Sequence, residues 1–129
     1  MRFLKFWSLA VGAMDALTGL LLIFIPARVL ELLGIRLPSP DALVFLSWIG
    51  VFVMSVGLSY GLVLFKRRHG EAVWTFTSLV RMAVAVFLTT RVLGETLEKS
   101  WMLVAVSDAA VALVQIVILR LGWWREGQR

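Results

Sequence analysis

Cysteine is absent from the 129-residue chain, and histidine occurs once, as His69. Without cysteine there is no disulfide, thiolate metal site, iron–sulfur cluster or cysteine nucleophile. One histidine leaves a histidine-based metal or haem site short of ligands. Charge is scarce as well, at 16% of residues against about 25% in soluble domains. No Ser/His/Asp arrangement, phosphate-cradling glycine loop or metal-ligand spacing is present. From these gaps we expect no catalytic residues, no cofactor and no metal, and so no enzyme.

What is plentiful is apolar surface. Hydrophobic residues make up 60% of the chain, and the mean hydropathy is +0.92. Soluble domains run at about 45–50% apolar, so the excess points to lipid. The formal net charge of +5 could indicate nucleic acid in a soluble protein. Here the basic residues stand at the ends of apolar runs, and no basic face interleaved with aromatics exists to read bases. The expected partner is the lipid bilayer and not nucleic acid.

Four apolar runs, at about 6–25, 42–65, 72–93 and 101–121, have the roughly 20-residue length of a bilayer span. The first begins like a signal peptide. Its length, its internal Asp15 and the lack of a small-x-small cleavage pattern favour a retained span. No polar interval is long enough for a soluble domain. We therefore expect one all-α domain over residues 1–129, an integral membrane four-helix bundle. The connector 26–41 reads equally as a short helix on the membrane surface or a structured loop, with Gly34 as a helix stop. Ser39 then reads as an N-cap, with Pro40 at the first helical position.

Basic residues set the expected orientation. With both termini inside, Arg2, Lys5, Lys66, Arg67, Arg68, Arg120, Arg125 and Arg129 lie inside. Only Arg28, Arg36, Arg91 and Lys99 lie outside. That bias predicts an N-in, C-in topology. The six tryptophans fall at the ends of the same spans, with Trp7, Trp74, Trp123 and Trp124 near the inner side and Trp48 and Trp101 near the outer. Each is expected to anchor at headgroup level. Tyr60, near the inner end of the second run, reads as another such anchor.

Helices in lipid associate by close packing and polar contacts, so small residues should mark their contact faces. Ser8, Gly12, Asp15 and Gly19 share one stripe of the first run. Ser47, Gly50, Met54, Gly57 and Gly61 share one on the second, and Gly57 with Gly61 makes a GxxxG pair. Ser78, Arg81, Ala85 and Leu88 mark the third, and Ala105, Asp108, Ala112 and Gln115 the fourth. These stripes fit packing within one chain. The GxxxG face could instead meet a second copy or a partner subunit.

Arg81 stands near the middle of the third run, where an arginine facing lipid costs about 2.5–3.5 kcal/mol. At 1.5 Å per residue, Asp15 and Arg81 both lie roughly 14 Å from the inner side, and Asp108 roughly 20 Å. The difference is one helical turn. We expect Arg81 to fork between Asp15 and Asp108, with Gln115 taking a remaining polar contact on the same stripe. Arg91 lies about 15 Å further out than Arg81 and should reach headgroups. Such a cluster serves either as a clamp fixing the helices or as a proton, ion or polar-ligand site.

An early acid, an Arg in the third span and an Asp in the fourth are carried by residues 11–26 (VGAMDALTGLLLIFIP), 78–88 (SLVRMAVAVFL) and 106–115 (VSDAAVALVQ). In these features the chain resembles small bacterial four-helix membrane proteins of the DoxX-like type. The resemblance implies a small bundle in a bacterial cytoplasmic membrane, with some relatives attached to redox systems. It carries over no catalytic residue. Small multidrug transporters also have four short helices and an acid in the first, but this chain departs from them in its charge bias, Arg81 and long first loop. The expected role is a non-enzymatic accessory or scaffold subunit, in a homo-oligomer or a larger membrane complex. The alternatives are a small proton-coupled transporter or a lipid- or quinone-binding protein.

Overall fold

The computed structural model describes residues 2–126. Helices α1 (Arg2–Phe24), α2 (Pro26–Leu32), α3 (Pro40–Ser59), α4 (Gly61–Phe65), α5 (Gly70–Leu93), α6 (Met102–Leu121) and α7 (Trp123–Glu126) follow in order, and the described residues contain no strand. Single 3₁₀ turns at Arg67–His69 and Lys99–Trp101 precede α5 and α6. Four stretches, Arg2–Phe24, Pro40–Phe65, Gly70–Leu93 and Lys99–Leu121, are long and apolar enough to cross a membrane. The chain is an integral membrane protein on that ground. At their N-terminal ends α1, α3 and α5 begin two to four residues before their apolar runs, because backbone hydrogen bonding continues into polar sequence while hydropathy does not.

Local chemistry explains the breaks. Ile25 leaves helical geometry, and Pro26, which has no N–H to offer, opens α2. The connector is thus helical over seven residues. It ends in a Schellman motif: Ile35 N donates to Leu30 O at 2.9 Å and Gly34 N to Glu31 O at 3.1 Å, with Gly34 at φ 73°. Leu30 and Ile35, which flank that turn, are both buried. Ser39 Oγ then accepts from Ala42 N at 3.3 Å, with Pro40 in the first turn of α3. At the far end of α5 the same motif recurs with a poorer residue. Thr96 N reaches Arg91 O at 2.9 Å and Glu95 N reaches Val92 O at 3.1 Å, and Glu95 takes φ 59° where Gly94 stands one position too early.

The helices form two compact units, divided between Arg67 and Arg68. In the first, α1 and α3 run antiparallel at very short range. A Cβ built on Gly12 would lie 2.8 Å from Gly57 O, and one on Gly57 would lie 2.6 Å from Gly12 O. One turn pair away, a Cβ on Gly19 would lie 2.6 Å from Gly50 O and 2.7 Å from Met54 Cα. Backbone thus meets backbone, and only glycine fits at these crossings. Gly61 corrects the expected GxxxG face, because no atom lies within 4 Å of a Cβ placed there. Helix α3 stops at Ser59, and Gly61 begins α4 beyond the close contact. Gly57 is already occupied by α1, so this face is not the free one that a second copy would need.

In the second unit α5 and α6 also run antiparallel, but their seam is polar. Trp74, Thr77, Ser78, Arg81 and Ala85 are buried on α5, and Ala105, Ala112, Gln115 and Ile118 on α6. Away from these seams every long helix presents large apolar side chains: Phe6 on α1, Phe52 on α3, Leu79 on α5 and Leu103 on α6 are all more than 60% exposed. Such faces suit hydrocarbon, not water.

Candidate functional site

The seam of α5 and α6 carries the polar groups that a lipid environment makes costly. Residues 74, 77, 78, 81 and 85 recur at three- and four-residue intervals and so share one face of α5. Asp108 and Gln115, seven apart, share a face of α6. Antiparallel packing brings the two faces into register. Arg81 Nη1 donates to Asp108 Oδ1 at 2.7 Å, the short distance of a charge-assisted bond. The arginine side chain is 5% exposed and the carboxylate 19%.

Two turns toward the α6 C-terminus, Gln115 forms a second node. Its Nε2 donates to Ser78 Oγ at 2.9 Å, Thr77 Oγ1 at 3.1 Å and Trp74 O at 3.3 Å. Thr77 Oγ1 itself donates to Val73 O at 2.8 Å, which leaves its lone pairs to accept from the amide. An amide bonded in this way ties α6 to one full turn of α5. The sequence expectation set Gln115 below Asp108 on the same stripe, with a remaining polar contact to make; at that level of α6 it bonds to Trp74, Thr77 and Ser78.

A third node closes the end of the hairpin. The Trp124 ring stands edge-on to Trp74, with centroids 5.2 Å apart and planes at 80°. It lies over Gly70, where a Cβ would be 2.8 Å from Trp124 Cε3. Trp74 and Trp124 are 0% and 1% exposed. Both were expected as headgroup anchors, and both are core residues instead, because Gly122 in the left-handed conformation turns α7 back onto the hairpin. Tyr60, another expected anchor, is buried too, and a Cβ on Gly12 would lie 2.8 Å from its own Cβ. Trp48 and Trp123 are exposed, and Trp7 and Trp101 are half-buried. Trp48 stands between Phe45 and Phe52 on one exposed side of α3. Arg91 lies over the Phe87 ring, its guanidinium carbon 5.2 Å from the centroid.

Asp15 belongs to the first hairpin, buried on the Gly12–Gly19 face of α1; a Cβ on Gly57 would lie 2.9 Å from the Asp15 Cβ. Ala105 and Ala112 are buried on the stripe that carries Asp108 and Gln115. Among the described residues, no three acidic or histidine side chains are grouped to hold a metal ion. No family model, curated protein or solved structure matches the chain.

Thr77 and Gly70 were not among the residues singled out from the sequence. Thr77 adjoins Ser78, which the stripe did include. Gly70 looked like the end of a basic loop, and only the Trp pair after Gly122 hinted that a ring might need room there.

Proposed function

We propose that the protein is a non-enzymatic accessory or scaffold subunit of a membrane complex, clamped by its buried charge pair. Its membrane is a bacterial cytoplasmic one, its termini face inside, and α2 rests on the outer membrane surface. It is a small helical protein of the DoxX-like kind. The observation that carries the reading is the 2.7 Å Arg81–Asp108 bridge, backed by the three-acceptor Gln115 node. Mid-span polar groups engaged across two helices fix their register. Asp108→Asn tests the reading, since the amide oxygen still accepts from Arg81. A clamp with this variant keeps its partner subunit at unchanged stoichiometry in native mass spectrometry from mild detergent.

The second reading, a small proton-coupled transporter or a lipid- or quinone-binding protein, draws on the 19% exposure that Asp108 retains. A carboxylate open on one side can exchange a proton or meet a polar ligand. It predicts that Asp108→Asn abolishes substrate-driven proton movement in proteoliposomes while assembly is unaffected.

A further inference from the structure

We propose that the start of α5 carries a groove for one anionic phospholipid, with Arg68 holding the phosphate and Phe76 and Leu79 holding an acyl chain. The proposal rests on the membrane reading above. The groove has a volume of about 570 Å³ and is lined by Arg68, Glu71, Ala72, Thr75, Phe76 and Leu79. It is shallow and open along its side, with Glu71, Ala72, Thr75, Phe76 and Leu79 on α5 and Arg68 in the turn that precedes it.

Charge and length both fit this occupant. Arg125 donates to Glu71 Oε1 through Nε and Nη2, each at 3.3 Å. The acid at the mouth is thereby answered, and Arg68 leaves the mouth with one net positive charge. Below it, Phe76 and Leu79 are 61% and 68% exposed and form an apolar wall. Thr75 spends its hydroxyl on Glu71 O at 2.8 Å. From Gly70, two residues after Arg68, to Leu79 the helix rises roughly 14 Å, about half of a 30 Å hydrocarbon core. The order of groups, cation first and oil beneath, is that of a phospholipid in one leaflet. Free phosphate would use only the mouth.

Native mass spectrometry of the full, lipid-depleted chain tests this by titration with phosphatidylglycerol and with phosphatidylcholine of the same acyl chains. The expected result is about fivefold tighter binding of phosphatidylglycerol, the effect of one cation at a membrane surface. Arg68→Gln should abolish the preference and leave phosphatidylcholine binding unchanged, and Arg68→Lys should retain it. Phe76→Ser should weaken both lipids. Arg120→Gln, which removes an exposed basic residue outside the groove, should change nothing. The proposal is overturned if the wild type shows no preference or if Arg68→Gln retains it. It also falls if Arg120→Gln loses the preference equally, or if glycerol phosphate binds as tightly as the lipid. The substituted side chains are exposed, and circular dichroism checks that helicity is intact. Failure of the membrane reading looks different: alkaline carbonate would then release the protein from membranes, whereas failure of the groove leaves it in the pellet.

Discussion

A guanidinium stays charged at any pH a cell meets, so Arg81 cannot escape its burial by losing a proton. It needs a counter-charge, and Asp108 supplies one at 2.7 Å. Arg81→Met and Asp108→Leu should each cost about 2–3 kcal/mol. The double change should cost less than the sum of the two by about 1–2 kcal/mol. Unfolding in mixed micelles, followed by circular dichroism, measures that coupling; additive costs would mean the contact is idle. Gln115→Leu should be milder, about 0.6–1.7 kcal/mol, because Thr77 keeps its bond to Val73 O and Ser78 can turn to its own helix. Depth counting made the Arg81–Asp108 meeting legible, since helical rise alone brings the two within a side chain's reach. The partners of Gln115 were not legible. They depend on how far one helix is rotated toward the other, which no count along a single chain reveals. Trp74 and Trp124 show the same limit: a ring at the end of a span reads alike whether it faces headgroups or another ring.

Glycine spacing within an element carries more information than glycine count. Gly12 and Gly19 face Gly57 and Gly50 at matching seven-residue intervals, and both pairs bring backbone against backbone. The stripes were legible from the sequence, but the end of the contact was not, because Gly61 sits on the same stripe past the break at Tyr60. Gly19→Ala should therefore push α1 from α3 at a cost of about 1–3 kcal/mol. Gly61→Ala should cost nothing and gain up to about 1 kcal/mol of helix propensity. The contrast is read from denaturant unfolding of the two variants side by side; equal losses would place Gly61 back in the contact. The turn after α5 gives a third element-scale expectation. Glu95 adopts φ 59°, a conformation that costs an L-residue about 1–2 kcal/mol. Glu95→Gly should raise the thermal midpoint, with Thr96 N still bonded to Arg91 O, and a lowered midpoint would show that the glutamate side chain stabilises the turn.

At the scale of the whole molecule, the number of spans was legible because length and hydropathy are properties of each segment alone. The pairing of α1 with α3 and of α5 with α6 was not, since four oily runs of similar length permit several pairings. Orientation is a separate matter, decided by basic residues at the loops and not by helix contacts. The native absence of cysteine makes it directly measurable, because any introduced thiol is the only one. Leu37, in the loop before α3, and Lys99, in the turn before α6, are both exposed, as is His69 before α5. With both termini inside, a membrane-impermeant maleimide added to intact spheroplasts should label Leu37→Cys and Lys99→Cys and spare His69→Cys until the membrane is opened. The reverse pattern would invert the topology while preserving four spans. Labelling of Leu37→Cys without Lys99→Cys would be more damaging, because two loops separated by two crossings must lie on the same side.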